Sequence, residues 1–258
     1  MPVDLGLLRH RALVTGASRG LGRAIASTLA TEGAEVIAVA RTAGPLQELA
    51  SSCNGPGTIT PQACDLRDSQ AINAMASLLA RTDILVLNTG GPPPGCAADI
   101  ADSAWSQHFE AMFLSAVRLT RLALPGMRER RFGRIIAVVS SGVIQPIPNL
   151  AISNALRMAV LGWAKTLAGE VASQGITVNC LAPGRIATDR VAELDQVRAR
   201  KEGIGVEEVQ RQSLAVIPAA RYGEVEEFAS MTAFLAGTRS SYMTGSVIRI
   251  DGGMIRSV

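Results

Sequence analysis

A glycine-rich stretch near the start of the chain has the residue types and the setting needed to hold a phosphate group. It reads TGASRGLG from Thr15 to Gly22, follows the apolar run RALVT and leads into a helical pattern. Glycines permit a tight turn and a close approach of the backbone, and the first turn of a helix offers free N–H groups to an anion. A glycine triplet alone would also fit an ordinary strand-to-helix turn. Its position between a strand and a helix favours a dinucleotide site, with the diphosphate held by Gly16, Ser18, Arg19, Gly20, Leu21 and Gly22.

The end of the second apolar run bears on which nicotinamide dinucleotide would bind. In NAD-binding proteins this position commonly carries a carboxylate that accepts hydrogen bonds from the adenosine ribose. Here the run ends at Ala40 and Arg41, so no carboxylate is present. Arg41, helped by Arg19, supplies guanidinium groups suited to a 2′-phosphate. The sequence therefore favours NADP(H) over NAD(H), the alternative being that both are ordinary surface arginines.

Other side chains that often do chemistry are sparse or poorly spaced. The cysteines at positions 53, 64, 96 and 180 show no CxxC spacing, and His10 and His108 are far apart. These spacings predict no metal site. The formal net charge is only +3, and the one dense group of arginines, from Arg128 to Arg134, is interpreted as a solvated helix end rather than a nucleic-acid surface.

Seven short apolar runs alternate with helical patterns, which puts the glycine-rich stretch at the end of the first strand. The runs are RALVT, AEVIAVA, GTITPQACD, DILVLN, GRIIAVVS, GITVNCLA and SVIRID. Such alternation predicts repeated βαβ units, and buried parallel strands suit a chain that is 48% hydrophobic but only 3% aromatic. We therefore expect one α/β domain over residues 1–258, with a Rossmann-type, doubly wound, seven-stranded parallel sheet and helices on both faces.

The same sequence gives expectations about location. No segment has the roughly 20 uninterrupted apolar residues needed to cross a bilayer. The N-terminal residues lack the pattern of a signal peptide. We expect a cytoplasmic protein with reduced thiols and no membrane partner.

Two segments interrupt the alternation near the expected ligand-binding edge of the sheet. The stretch Gly90–Gly95 reads GGPPPG, and its prolines must leave the sheet after the fourth run. A charged helical stretch at about 189–213 precedes the last helix and strand. We interpret it as an insertion that forms a substrate lid, or else as a solvated helical pair that covers an edge.

Together these stretches resemble the short-chain dehydrogenase/reductase family over almost the whole chain. TGASRGLG matches the family's TGxxxGxG loop, the stretch from Asn88 to Gly91 matches its NNAG-like segment, and GRIIAVVSS, LAGEVASQGITVNCLAPGRIATD and SSYMTGSVIRIDGG follow in the family's order. The resemblance implies an NAD(P)-dependent oxidoreductase that acts on a small-molecule substrate as a homotetramer or homodimer. It also implies contacts with three parts of the cofactor. Asp65 and Leu66 would contact the adenine, and Asn88 and Gly90 the adenosine-side ribose. The nicotinamide would be contacted by Pro183, Gly184, Ile186 and Thr188.

The resemblance breaks at the residues that the family uses for acid catalysis. These are an Asn in the long helix, a Ser after the fifth strand, and a Tyr followed four residues later by a Lys. Alignment on GRIIAVVS keeps the serine as Ser140 but places Met112, Ser153 and Arg157 at the other positions. Serine is a far poorer acid than tyrosine, whereas an arginine stays protonated and can stabilise an oxyanion. Our candidate catalytic residues are Ser140, Ser153 and Arg157, with a helix cap as the alternative role of Ser153.

Three functions remain open at this point. In the first, the chain reduces a conjugated enone, with Ser140 and Arg157 stabilising the oxyanion and water supplying the proton. NCLAPGRIATDR and the charged insertion are similar to a divergent branch of the family that lacks the Tyr and Lys pair and includes an NADPH-dependent reductase of bacilysin biosynthesis. In the second, a ketone reductase or alcohol dehydrogenase relies on Ser140, Ser141 or Ser153 through a water relay. In the third, the chain is a dinucleotide-binding module without turnover, acting as a sensor or as a subunit of an assembly.

Overall fold

Seven parallel strands form one sheet in the computed structural model, which describes residues 4–257. The strands are β1 (Arg11–Thr15), β2 (Glu35–Ala40), β3 (Thr58–Ala63), β4 (Ile84–Leu87), β5 (Gly133–Val138), β6 (Ile176–Pro183) and β7 (Val247–Ile250). Their order is β3-β2-β1-β4-β5-β6-β7, and every neighbouring pair is parallel. The chain order reverses between β1 and β4, so the carboxyl ends of these two strands flank the crevice where ligands bind in such sheets.

Helices connect the strands on both faces of the sheet. The described part of the chain contains α1 (Gly20–Thr31), α2 (Ala43–Ser51), α3 (Ser69–Ala74), α4 (Ala76–Ala80), α5 (Asp102–Phe109), α6 (Ser115–Arg130), α7 (Ala151–Val171), α8 (Asp189–Glu202), α9 (Val206–Ala215) and α10 (Val225–Ala236). A π turn (Glu110–Leu114) joins α5 to α6, and a short 3₁₀ turn (Ser141–Val143) follows β5. The long helix predicted around Met112 is therefore interrupted by one wider turn.

Each face of the sheet carries an apolar layer. On one face, Ile25 of α1 packs with Phe228 of α10, and on the other, Leu119 of α6 belongs to a separate buried cluster. Successive residues of a strand point to opposite faces. Accordingly, β1 contributes Val14 to the first cluster and Leu13 to the second. The seven-stranded parallel sheet with helices on both faces confirms the predicted Rossmann-type fold.

The arginines from Arg128 to Arg134 are not all at a solvated helix end. Arg134 lies within β5 and is buried. Its Nε donates to the carbonyl oxygen of Gly237 at 3.0 Å, and its guanidinium covers the ring of Phe132. Arg130 does end α6, but its Nε donates to Asp83 at 2.7 Å. The interpretation as a solvated helix end therefore holds for Arg128, Arg130 and Arg131, which are exposed at the end of α6, and is wrong for Arg134, which is buried in the sheet.

Candidate active site

The glycine-rich stretch begins at the end of β1 and is held there by Asn88 at the end of β4. Thr15 Oγ1 accepts a hydrogen bond from Asn88 N and donates one to the Asn88 carbonyl oxygen, each at 2.8 Å. Gly16 has a φ of +64°, and a Cβ there would lie 2.7 Å from that carbonyl oxygen. Only glycine fits this position. The loop therefore joins the two strands that flank the crevice.

The first turn of α1 is open to an anion. Its N-cap residue is Arg19, whose side chain makes no capping hydrogen bond, and the turn contains no acidic residue. Gly22 is buried, and a Cβ there would overlap the carbonyl oxygen of Gly16. Ser18 and Leu21 are half-buried beside these glycines. A dinucleotide diphosphate fits this setting, because free N–H groups and the positive end of the helix dipole both favour it.

Cations also lie at the end of the site where the adenosine is expected. Arg41 is exposed after β2. Asp65 follows β3 and accepts hydrogen bonds from the Arg67 guanidinium, the shortest at 2.6 Å. These bonds, and to a smaller degree the charge of Arg41, lower the pKa of Asp65. Arg19 contacts Glu193 of α8 at 3.4 Å, so the two arginines predicted to act together have different surroundings in this structure.

The segment after β6 passes over the end of β7 and then begins α8. A Cβ on Gly184 would lie 2.6 Å from Asp251 Cα, so the backbones approach closely here. Ile186 is buried. Thr188 is the N-cap of α8, and a Cβ on Gly20 would lie 3.6 Å from its Cγ2. The segment predicted to meet the nicotinamide thus lies beside the glycine-rich stretch at residues 15–22, the phosphate loop.

Ser140 and Ser153 lie on neighbouring elements, after β5 and in the first turn of α7. Ser140 Oγ accepts a hydrogen bond from Gly142 N at 3.0 Å, which leaves its hydroxyl proton free to be donated. Ser153 is 8% exposed. Helix α7 has Leu150 as its N-cap and no capping side chain, so the alternative interpretation of Ser153 as a helix cap is wrong.

Arg157 is buried one turn further along α7. Its Nη1 donates to the carbonyl oxygen of Val138 at 2.6 Å and its Nη2 to that of Thr89 at 3.4 Å. The guanidinium therefore lies across the ends of β4 and β5. No carboxylate pairs with it anywhere in residues 4–257. Burial, and then the charge of Arg190, lowers the pKa of Arg157 to about 10, so it remains protonated at neutral pH.

A small cavity below the strand ends is lined by Arg157, by the π turn and by α6. Met112, at the position where the resemblance expects an Asn, is 3% exposed and packs with Ile152 of α7. Ser115 lines the same cavity, but its hydroxyl donates to the carbonyl oxygen of Ala111 at 2.6 Å. The cavity lining is mostly apolar, and Arg157 is its one charged residue.

The two tyrosines have other surroundings. Tyr222 OH donates to Asp195 at 2.9 Å, and Arg185 Nη1 donates to the other oxygen of that carboxylate at 2.5 Å. Asp195 is fully buried, so these bonds anchor α8 to the segment after β6. Tyr242 is fully exposed. Neither phenol therefore lies on α7, where the resemblance expects a tyrosine.

The predicted insertion at about 189–213 forms α8 and most of α9, which contact each other. Its inner face is closed by Asp195, Ala199, Val209 and Ser213, all of which are buried. The start of α8 lies against the phosphate loop. The insertion is thus a folded layer at the ligand-binding edge of the sheet.

Asn154 and Arg190 are neighbours of the site that sequence reasoning missed. Asn154 Nδ2 donates to the carbonyl oxygen of Ile147 at 2.9 Å and its Oδ1 accepts from Ile147 N at 3.3 Å, which holds the loop after Ser140 against α7. Arg190 donates to the carbonyl oxygen of Pro92 at 2.5 Å. The only signal for Asn154 is its place next to Ser153, and none marks the contact of Arg190.

Two features of the structure bear on other functions. Across residues 4–257, no three His, Cys, Asp or Glu side chains come together as metal ligands would. Over the same described span, no helix is both long enough and apolar enough to cross a membrane.

The fold and the phosphate loop define a doubly wound α/β protein of the dinucleotide-binding class. The family model described as enoyl-(acyl carrier protein) reductase matches residues 16–255. The 3-oxoacyl-(acyl-carrier-protein) reductase FabG of Escherichia coli (strain K12) is 37% identical over 248 residues, which cover 94% of this chain and 96% of that protein.

Solved structures of reductases share the whole fold. The L-sorbose reductase from Gluconobacter frateurii, crystallised with NADPH and L-sorbose, has a TM-score of 0.93 and 32% identity, covering 99% of this chain and 100% of that one. YwfH, an NADPH-dependent reductase involved in bacilysin biosynthesis, has a TM-score of 0.89 and 27% identity, covering 97% and 100%. This chain belongs to the short-chain dehydrogenase/reductase family and is an oxidoreductase of that type.

Proposed function

We propose that the chain is an NADP(H)-dependent oxidoreductase that transfers hydride to or from a small carbonyl or conjugated enone substrate without the family's Tyr and Lys pair. The observation that carries this proposal is the buried guanidinium of Arg157, which lies across the ends of β4 and β5 with no carboxylate to balance it. Burying an unbalanced charge is costly. A cation retained there suits a negative charge that develops in the site.

The residues around the crevice would hold the coenzyme, which supplies the hydride when bound. Backbone N–H groups between Gly16 and Gly22 would hold its diphosphate. Arg41 and Arg19 would contact the 2′-phosphate, which gives the expected preference for NADP(H) over NAD(H). The adenine, ribose and nicotinamide would be held by Asp65 and Leu66, by Asn88 and Gly90, and by Pro183, Gly184, Ile186 and Thr188. The NADPH bound in the L-sorbose reductase crystal supports this assignment.

Ser140, Ser153 and Arg157 would act on the substrate oxygen. The oxygen of Ser140 is fixed by Gly142 N, so its hydroxyl can donate toward the substrate. Arg157 would stabilise an oxyanion through its charge, and Ser153 would add a third donor from the first turn of α7. None of the three readily gives up a proton at neutral pH. Water would therefore be the proton source.

Conjugated enones are the substrate class that these residues favour. Hydride addition to the β-carbon of an enone produces an enolate, which fixed donors can stabilise until solvent delivers a proton to carbon. Ketone reduction produces a more basic alkoxide, which requires a proton in the site. The alternative is a dinucleotide-binding module without turnover, which the loss of the Tyr and Lys pair would also allow. The reductase activities named for the relatives support turnover instead.

Further parts of the proposal rest on resemblance. The likeness to YwfH supports a place in a divergent branch of the family that lacks the Tyr and Lys pair. We expect α8 and α9 to act as a substrate lid within a single domain, because the start of α8 lies beside the phosphate loop. A homotetramer or homodimer and a cytoplasmic location are expected from the family.

Coenzyme binding followed by substrate screening tests the proposal. Fluorescence titration with NADPH and NADH shows whether either binds, and Arg41→Ala should weaken NADPH while leaving NADH unchanged. The loss of NADPH absorbance is then followed with simple ketones, β-ketoacyl thioesters and conjugated enones. Turnover of enones alone supports the favoured class, and turnover of ketones alone contradicts it. Tight coenzyme binding without turnover of any substrate class would favour the alternative, a dinucleotide-binding module without turnover. If neither coenzyme binds, the proposed function as a whole is contradicted.

A further inference from the structure

Arg190, in the first turn of α8, reaches across the crevice to the proline-rich loop after β4. Its Nη2 donates to the carbonyl oxygen of Pro92 at 2.5 Å, and a Cβ on Gly91 would lie 3.0 Å from its Nε. Helix α8 itself begins beside the phosphate loop, where Thr188 faces Gly20. The side chain therefore connects the phosphate-loop side of the crevice to the β4 side.

Glu193, one turn along α8, links Arg190 to Arg19 of the phosphate loop. One of its carboxylate oxygens lies 3.4 Å from Arg19 Nη1, and the other lies 3.7 Å from Arg190 Nη1. A single carboxylate thus stands between two guanidinium groups. Both ion pairs are partly exposed to solvent, where such pairs contribute little free energy. A more highly charged anion could replace this carboxylate at small cost.

The charges around the crevice are unbalanced. Arg157 lies deeper than Arg190, and the two are close enough for the charge of Arg190 to lower the pKa of Arg157 after the larger effect of burial. Arg19 and Arg190 carry two positive charges against the one negative charge of Glu193, a net charge of +1, and the charge of Arg157 lies beyond them without a carboxylate. Like charges held together repel each other. A ligand group with two negative charges would balance Arg19 and Arg190 once it has displaced Glu193.

We infer that Arg190 binds the diphosphate of the coenzyme and that Glu193 is an internal counter-ion which this diphosphate displaces. The inference rests on the proposed function, because it requires a dinucleotide between the phosphate loop and α8. It adds to the cofactor site a residue that the family's glycine-rich motif does not contain. Since NADPH and NADH share the diphosphate, Arg190 contributes equally to the binding of both, whereas Arg41 distinguishes them.

Calorimetric titration of the full chain with NADPH and with NADH tests this inference. Arg190→Gln is expected to raise the Kd of both coenzymes by the same factor, about tenfold, as for the loss of one partly exposed charge-assisted hydrogen bond. Arg41→Ala is expected to raise the Kd of NADPH alone. Glu193→Gln is expected to lower both Kd values by about twofold, because the displaced pair is weak.

A matched control lies on the same helix. The Arg198 guanidinium donates to Glu202 and Gln212, and Arg198→Gln should leave both Kd values unchanged. The melting temperature of each variant reports whether it folds. Arg190→Lys keeps the charge and should lose less affinity than the glutamine variant, so the comparison stays available if Arg190→Gln does not fold.

The outcomes of these titrations distinguish failure of the inference about Arg190 from failure of the proposed function. Unchanged Kd values for Arg190→Gln, with Arg41→Ala still weakening NADPH, would overturn the inference and leave the proposed cofactor site intact. A loss confined to NADPH would also overturn it, because Arg190 would then contact the 2′-phosphate. If the wild-type chain binds neither coenzyme, the proposed function fails together with this inference.

Discussion

Replacing Arg157 by methionine removes a buried positive charge while keeping an unbranched side chain. The first consequence concerns the desolvated charge. The surroundings, chiefly burial, lower the pKa of Arg157 to about 10. Each pKa unit corresponds to about 1.4 kcal/mol, so the protein disfavours the charged form by roughly 3 kcal/mol. Methionine relieves that cost.

The second consequence has the opposite sign. The carbonyl oxygens of Val138 and Thr89 each lose a donor. A buried acceptor left without a partner costs about 1–3 kcal/mol. Thr89 is only half-buried and its bond is long, so its loss falls at the low end of that range. The two consequences nearly cancel, and the free energy of unfolding of Arg157→Met should stay within about 1.5 kcal/mol of the wild-type value.

Turnover should respond far more strongly than stability. Removing one donor to a developing oxyanion typically lowers kcat by about 10²–10³. Urea unfolding measures the stability change, and NADPH oxidation with the best substrate from the screen measures kcat. Arg157→Lys serves as the control, because lysine keeps a positive charge on a shorter side chain that lacks the planar guanidinium. This variant should retain part of the activity. A loss of more than about 3 kcal/mol in stability with an unchanged kcat would show that Arg157 is a structural residue and would refute the reasoning.

Other parts of the structure give separate tests. Gly22→Ala should abolish coenzyme binding in a calorimetric titration, because its Cβ would overlap the carbonyl oxygen of Gly16, whereas Gly169→Ala on the open face of α7 should raise the free energy of unfolding by about 0.5–1 kcal/mol. Asp195→Ala should leave Arg185 without its buried partner and destabilise α8 by about 3 kcal/mol, visible as faster hydrogen exchange in α8 but not in the sheet. Hydrogen bonds from Arg221, and then from Glu224 N, lower the pKa of Glu227 to about 2, so its stabilising effect is complete above the ordinary pKa of glutamate and is lost as the pH falls toward 2. The difference in melting temperature between the wild type and Glu227→Gln should shrink over that acidic range and stay constant near neutral pH. Iodoacetamide should label the exposed Cys96 of the folded chain but not Cys180, whose pKa burial raises to about 12, and peptide mass spectrometry would reveal a contrary result.

The sheet could be predicted because each strand is a short apolar run bounded by a turn or a helical pattern. Even the least regular run, GTITPQACD, forms β3 with Pro61 inside it. The structure shows why this proline is tolerated, since β3 is an edge strand and proline lacks only a donor that an edge strand can spare. Arg134 shows the limit of the same approach. It continues a row of arginines in the sequence, yet it falls within β5 and is buried.

The site could be predicted only where its chemistry is local in sequence. The phosphate loop needs nothing beyond a strand, a few glycines and a helix start, so its position follows from residues close together in the chain. The contact of Arg190 with Pro92 joins residues 98 positions apart, and that of Arg19 with Glu193 joins residues 174 apart. A single sequence carries no signal for such pairs. For the same reason the sequence predicts that Arg19 acts with Arg41 and gives no sign of its contact with α8.

Under the proposed function, the residues at the positions where the resemblance expects Asn, Tyr and Lys favour a change of substrate class over a loss of activity. What the chain keeps are groups that stabilise negative charge, namely the free hydroxyl proton of Ser140 and the guanidinium of Arg157. What it lacks are groups that deliver a proton. Met112 lines its side of the cavity with an apolar side chain, and the hydroxyl of Ser115 donates its proton to the carbonyl oxygen of Ala111. An alkoxide formed in such a site has no nearby acid to protonate it, whereas an enolate can be stabilised by the fixed donors until water protonates its carbon. A buried cation without a counter-ion destabilises the fold, and a dinucleotide-binding module without turnover would have no use for it. An enolate, in contrast, needs such a group for its stabilisation.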